Sequence, residues 1–273
     1  MPAPLRLGVV LYRNSSDELE RLARSLRAAR AEPGSPSFEV TWLDNSPGDG
    51  LRRTVADLGF PDGYAHAGGN LGFGSAHDRL MAEAFADPSV EHYVCVNPDA
   101  TLHPRCLAEL AAEAARHARP GLIEARQFPD EHPKPYDPRT HETPWCSGCL
   151  LLVTRALYQA IGGFDERFFM YCEDVDLSWR ARAAGFTVAL APRALVHHVG
   201  TGRSRSHQME LLMLRSGVLL GRKYGDDAFV RECEGGLRAR GERPPQGSGP
   251  EASAAERAAA DFSHGFSFAE VRW

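Results

Sequence analysis

A chain of 273 residues is long enough to bury one sizeable core, and a balance of 43% hydrophobic to 25% charged residues excludes wholesale disorder. The formal net charge of -5 gives no overall attraction to a polyanion, so nucleic acid is not expected as a partner. Any anionic ligand has to be held by a local arginine cluster or by a metal.

No apolar run approaches the roughly 20 residues that a membrane span needs, and the stretch 5–12 is too short for a secretory signal, so a cytoplasmic location is expected. Six cysteines stand at 95, 106, 146, 149, 172 and 233 with no regular framework, which predicts reduced thiols. Cys146 and Cys149 form a Cys-x-x-Cys pair without a second ligand pair, and packing is the expected role.

In chain order, the first 120 residues alternate β-rich runs with helical patterns, as in a doubly wound sheet flanked by helices. Strands are predicted over 5–12, 38–43 and 92–97. The spacing predicts a helix over 16–31, with Asp17, Glu18 and Glu20 at its dipole-favoured start. Gly68-Gly69-Asn70 opens a turn before a helix over 74–85. Ligands of open α/β sheets gather beyond the carboxyl ends of strands, so Tyr12 to Asn14, Asp44-Asn45 and Asn97 to Asp99 should border one crevice.

Residues 126–144, rich in Pro, His and charge, read as a long surface loop on the acceptor side. A strand over 147–153 and a helix over 155–161 follow, and Gly162-Gly163 ends that helix. Leu211, Leu214, Val218 and Leu219 recur at helical spacing over 207–224, as in a helix packed on the domain. Beyond it, 238–260 reads as a mobile tail, while the four aromatics of 262–273 are expected to dock. The expected organisation is one domain, 1–225, with halves 1–120 and 121–206 and an amphipathic helix 207–225, followed by a partly flexible tail, 226–273.

Three clusters carry candidate chemistry. Asn97-Pro98-Asp99 closes an apolar strand, where a carboxylate can ligate Mg²⁺ or Mn²⁺; the bland alternative is a polar turn. Glu173, Asp174 and Asp176 follow the aromatic run 168–171 at a helix start. Capping explains some acids there, but three acids beside aromatic rings favour a desolvated general base. His197-His198 precedes a glycine-rich stretch with Arg203 and Arg205, which suits a metal ligand followed by a diphosphate-binding lid more than a structural histidine.

The ordered set Asp44-Asn45-Ser46, Asn70-Leu71-Gly72-Phe73, Asn97-Pro98-Asp99, the stretch from Gly162 to Phe169, Glu173-Asp174-Val175-Asp176-Leu177 and His197-His198 resembles glycosyltransferase family 2. Within that family it is most similar to the bacterial rhamnosyltransferase-like branch. The likeness spans 5–224, and 162–177 is its most specific part.

The resemblance implies a GT-A fold, that is, a Rossmann-like, mostly parallel central sheet flanked by helices, here with a C-terminal helical extension. It also implies a nucleoside diphosphate-sugar donor, a divalent metal (Mg²⁺ or Mn²⁺) and inversion by single displacement. By position it makes Asp44 the pyrimidine contact and Asp99 a metal ligand, with Asn97 where many relatives carry an aspartate. Asp174 becomes the base, Glu173 positions the acceptor beside it, and one of His197 and His198 completes the metal site, His198 by preference. Tyr12, Asn14, Asn45, Asn70, Gly72 and Phe73 join Asp44, Asn97, Arg203 and Arg205 around the nucleotide-sugar, and Trp145, Tyr171 and Asp176 face the acceptor. His77 departs from the asparagine frequent in relatives.

The expected reaction moves rhamnose, the leading sugar, from a dTDP- or UDP-sugar to a hydroxyl of a cell-surface or lipid-linked glycan. A sugar nucleotidyltransferase would need a glycine-rich phosphate loop after its first strand, and residues 12–16 contain no glycine. A catalytically silent sugar-binding scaffold would tolerate loss of the acid cluster, which is intact here. The helix over 207–224 and the aromatic C-terminus offer surfaces for a homodimer or for peripheral contact with the inner membrane face.

Overall fold

The computed structural model describes residues 4–60, 63–198, 206–247, 252–263, 266 and 270–271. Strand β1 (Leu5–Leu11), helix α1 (Ser16–Ala31) and strand β2 (Phe38–Asp44) form the expected first unit. Ser15 and Glu18 close a reciprocal capping box on α1, and Leu19, Leu22, Ala23, Leu26 and Ala29 form its buried stripe. Helix α2 (Arg52–Asp57) and strand β3 (Tyr64–His66) follow, then α3 (Gly74–Ala86), β4 (His92–Val96), β5 (Thr101–Leu102) and α4 (Cys106–Arg116). The second half contains β6 (Pro120–Glu131), β7 (Leu150–Thr154), α5 (Arg155–Ile161), α6 (Glu173–Ala183) and β8 (Thr187–His198). Helices α7 (His207–Tyr224), α8 (Asp227–Ala239) and α9 (Ala254–Ala259) and strand β9 (Glu270–Val271) complete it.

The sheet runs β3-β2-β1-β4-β7-β6-β8-β5, with β9 paired to β6. Pairing is parallel from β3 through β4 and again between β6 and β8. Strand β7 lies antiparallel to both neighbours, β4 and β6. It is reached from β6 by the segment 132–149 without a crossover helix, which an antiparallel neighbour does not require. Apolar side chains cover both faces. One cluster joins β1, β2 and β4 to α1 and α4, and the other joins β4 and β7 to α3, α5 and α6.

Two stretches differ from the sequence reading. Strand β6 continues to Glu131, so the loop expected from 126 begins later; Gln127 and Asp130 are buried there despite their polarity. Over its described residues, the stretch read as a mobile tail contains the end of α8 and all of α9. Arg182 donates to the Ala259 carbonyl at 3.1 Å, and Ala252 N–H donates to the Lys223 carbonyl at 2.9 Å. These tertiary bonds hold an alanine-rich helix that has no apolar periodicity of its own. The expected docking of the C-terminal aromatics is seen at Phe262 and Phe266, which lie edge-on to Trp179 at 4.9 and 5.6 Å.

All six cysteines are free and buried. No described helix is long and apolar enough to cross a membrane.

Candidate active site

The polar strand ends do converge. Tyr12, Asn14, Asn45, Asn97 and Asp99 border a cavity of about 340 Å³, together with Asn70, Gly72, Phe73, Trp145, Tyr171, Glu173, Asp174 and His198. Asn14 accepts the Tyr12 N–H at 2.9 Å and fixes the turn beyond β1. Asn45 donates to the Gly72 carbonyl at 2.9 Å, and Asn70 accepts the Gly72 N–H at 3.0 Å. Gly72 has φ +81°, and a Cβ there would sit 2.1 Å from the Phe169 carbonyl oxygen. Phe73 N–H donates to that same carbonyl at 3.0 Å. The turn before α3 is thereby fastened to the loop before α6.

That loop turns sharply into α6 through two consecutive left-handed residues, Tyr171 (φ 70°) and Cys172 (φ 65°). Such geometry costs about 1–3 kcal/mol per residue and survives where surrounding contacts impose it. Its result is that Glu173 and Asp174 open the helix at the cavity. Asp174 accepts the Gly148 N–H at 3.0 Å and the Val175 N–H at 2.9 Å. Glu173 is 4% exposed, and its Oε2 has no hydrogen-bond partner among the described residues.

Burial pushes the Asp174 carboxyl above its usual range, against the opposing pull of the Gly148 N–H and Lys134. Burial, then the neighbouring Asp174 charge, pushes Glu173 well above its own. Two adjacent carboxylates in a low-dielectric site resist simultaneous ionisation, so they bind and release protons as a pair.

The histidine pair separates by strand alternation. His198 faces the cavity, with Nε2 3.5 Å from Asp99 Oδ1 and Nδ1 3.1 Å from Gln127 Oε1. His197 is exposed on the other face, its ring 6.3 Å from that of Phe128, so it is corrected as a metal-ligand candidate. Asp99 and His198 fit a divalent cation as an oxygen and an imidazole ligand, with Gln127 orienting the ring from behind. Among the described residues no group of three His, Cys, Asp or Glu surrounds one point, so further ligands have to come from a bound diphosphate or water. Arg203 and Arg205 lie outside the described residues.

Two further expectations are corrected. The Asp44 carboxylate does not border the cavity. It is fully buried and accepts the Tyr64 hydroxyl at 2.7 Å and the Ser46 N–H at 2.9 Å. Asp176 does not face an acceptor either, because two residues along a helix rotate it about 200° away from Asp174. Its fully buried carboxylate accepts Arg180 Nε at 2.8 Å and the Tyr224 hydroxyl at 2.9 Å, and pairs with Lys223 at 2.5 Å. Lys223 also reaches Asp165 at 2.8 Å. Burial works against the Asp165 charge, but Arg167 and Lys223 hold its carboxyl well below the usual range.

Trp145 and Tyr171 stand at the cavity as expected. Trp145 is held by Lys134, whose Nζ lies 3.8 Å from the ring centroid and donates to the Trp145 carbonyl at 2.6 Å. Lys134 also pairs with the buried Glu124, which accepts the Ser147 N–H at 2.9 Å. His77 is a buried neutral histidine: its Nδ1 lies 2.7 Å from the Tyr93 hydroxyl, and burial lowers it to about 3.

Sequence reasoning missed Gln127, Gly148, Glu124, Lys134 and Asp78. Burial pushes Asp78 up to about 6, and it accepts the Phe164 N–H at 2.9 Å. Gly163 gave the one available signal, since a Cβ there would lie 1.9 Å from Asp78 Oδ1.

Residues 139–217, which carry Trp145, the acid pair and His198, match the family described as "Glycosyltransferase like family 2". The N-acetylglucosaminyl-diphospho-decaprenol L-rhamnosyltransferase of Mycobacterium tuberculosis is 31% identical over 231 residues, covering 68% of this chain and 74% of that protein. This chain belongs to glycosyltransferase family 2. Rhamnosyltransferase WbbL of Escherichia coli is 37% identical to this family 2 chain over 62 residues, covering 23% of this chain and 24% of that one. Among solved structures, the mannosyltransferase PcManGT of Pyrobaculum calidifontis, in complex with GDP-Man and Mn²⁺, has a TM-score of 0.63 at 15% identity. It covers 88% of this chain and 76% of its own. GalNAc-T7 with UDP, GalNAc and Mn²⁺ has a TM-score of 0.64 at 12% identity, covering 83% of this chain and 49% of its own. These likenesses establish the GT-A fold for this glycosyltransferase.

Proposed function

We propose that this glycosyltransferase transfers a sugar, rhamnose foremost, from a dTDP- or UDP-sugar to a hydroxyl of a lipid-linked glycan, with inversion at the anomeric carbon. The observation that carries the reading is the placement of a desolvated carboxylate, Asp174, in the same cavity as the Asp99–His198 pair. A general base and a diphosphate-binding end have to share one cleft for direct displacement. Rhamnose and the lipid-linked acceptor come from the mycobacterial relative, whose name specifies both.

Asp174 takes the proton of the acceptor hydroxyl as its oxygen bonds to the anomeric carbon and the bond from that carbon to the diphosphate oxygen breaks. Glu173 shares the site's proton beside it and orients the acceptor. Tyr12, Asn14, Asn45, Asn70, Gly72, Phe73 and Asn97 form the donor side, while Trp145 and Tyr171 form the acceptor side. Asp99 and His198 would hold a divalent cation, Mg²⁺ or Mn²⁺, which supplies positive charge against the leaving diphosphate when bound. A lipid-linked acceptor would bring a cytoplasmic protein to the inner face of the membrane.

The test is thermal stabilisation by dTDP, UDP and their sugars, with and without Mg²⁺ or Mn²⁺, on wild type and Asp99→Ala. The anomeric configuration of any product is then read by NMR. A metal-dependent shift that is lost in the variant, with an inverted product, is expected. No shift with any nucleotide, or a retained configuration, sinks the reading.

A further inference from the structure

Six of the uncharged residues around the cavity are aromatic or thioether side chains from its α7 side and the segments facing it: Trp145, Met170, Tyr171, Met209, Met213 and Phe266. They come from four separate segments: the loop before β7, the loop before α6, helix α7 and the stretch after α9. Met209 and Met213 are four residues apart on α7 and present one helical face. Tyr171 donates its hydroxyl to the Met209 thioether at 3.2 Å, and the Trp145 and Phe266 rings lie 6.2 Å apart. Three of the chain's five methionines stand at this one cavity.

A wall meant only for sugars pairs flat aromatic faces with hydrogen-bonding groups; here Trp145, Tyr171 and Phe266 give the faces, but the other half of the wall is methionine. Thioethers offer almost no hydrogen bonding; they adapt to flexible aliphatic shapes. We propose that this wall is a subsite for the aliphatic chain of the acceptor, starting next to its linkage phosphate, and that Phe266 and Met213 set its reach. This rests on the lipid-linked acceptor reading and adds that the protein itself grips the hydrocarbon, so the membrane is not its only apolar surroundings. The subsite is continuous with the cavity holding Asp174, so a chain lying in it leads its polar head towards the base.

The experiment titrates the full chain with water-soluble alkyl phosphates of increasing length, below their aggregation concentrations, by calorimetry. Affinity should rise by up to about fourfold per added methylene, the increment for burying a CH₂, until the subsite is filled. Phe266→Ala and Met213→Ser should each lose about tenfold for the longest chain and little for the shortest. Asp99→Ala should lose nucleotide binding and keep the chain-length slope. A flat profile in wild type, or a slope that survives both Phe266→Ala and Met213→Ser, overturns the subsite. A normal slope with no transfer to any acceptor would instead overturn the glycosyl-transfer reading and leave the subsite standing.

Discussion

Asp174 receives the backbone N–H of Gly148 at 3.0 Å, so a residue opening α6 is held by the turn leading into β7. Gly148 has no room for a side chain: a Cβ would lie 2.7 Å from the Phe73 ring. The proposed base, its holder and an aromatic of the proposed donor side thus form one chain of contacts.

Asp174→Asn keeps the shape and an acceptor oxygen for Gly148 while removing the base. Activity should fall by about 10²–10⁴-fold, with nucleotide binding retained. Because burial raises the folded carboxyl, ionising it disfavours the folded state. That stability is present below the ordinary carboxylate range and is lost as pH rises through the raised value. The variant should therefore melt above wild type at neutral pH, with a gain that shrinks towards acid pH. A lower melting temperature at pH 7 would contradict the assignment.

In wild type, the same raised carboxyl should place the acid limb of the kcat/KM profile above the ordinary aspartate range, with activity increasing as pH rises. A profile flat down to pH 4 would exclude Asp174 as the base.

Gln127 lies behind His198 and orients its ring at 3.1 Å. Gln127→Ala should leave the fold intact and weaken Mn²⁺ affinity by about 10–100-fold, as measured by the Mn²⁺ concentration needed for nucleotide-induced stabilisation. Unchanged Mn²⁺ dependence would exclude Gln127 as the group that orients a ligating His198.

Lys134 and Glu124 are both buried and paired. Lys134→Met leaves a buried carboxylate without its partner and should cost about 3–5 kcal/mol by chemical denaturation. Adding Glu124→Gln should recover most of the loss, since the remaining groups are then neutral. Equal stability of the single and double variants would show that the pair carries no such coupling.

Gly72→Ala places a methyl group against the Phe169 carbonyl at a positive φ. It should cost more than about 1 kcal/mol and weaken nucleotide binding through the displaced Asn70–Phe73 turn. A fully stable variant would mean that the turn relaxes freely.

The parts legible from sequence were those with local rules. The acidic start of α1, the polar ends of β1 and β4 and the acid pair at α6 all lie close to where periodicity and turn chemistry placed them. What stayed hidden depended on facing direction or on distant partners. Asp44 and Asp176 sit in the right motifs with their carboxylates turned into buried bonding networks. Gln127 looked like loop because its strand is polar and interrupted by Pro129, and its burial comes from β8 alongside. Helix α9 has no apolar stripe and is held by α6 and α7; its one local signal was the Ser253–Glu256 capping box, which went unread in an alanine-rich, charged stretch.

The rings after α9 give the chain an uneven division of labour. A fragment stopping at Tyr224 would keep Asp99, Asp174 and His198, yet it would strip Phe262 and Phe266 from Trp179, the buried anchor of the helix that carries the proposed base. The stretch that carries the family motifs is therefore shorter than the stretch that packs on the proposed catalytic helix, and a boundary drawn by motif would cut through the brace.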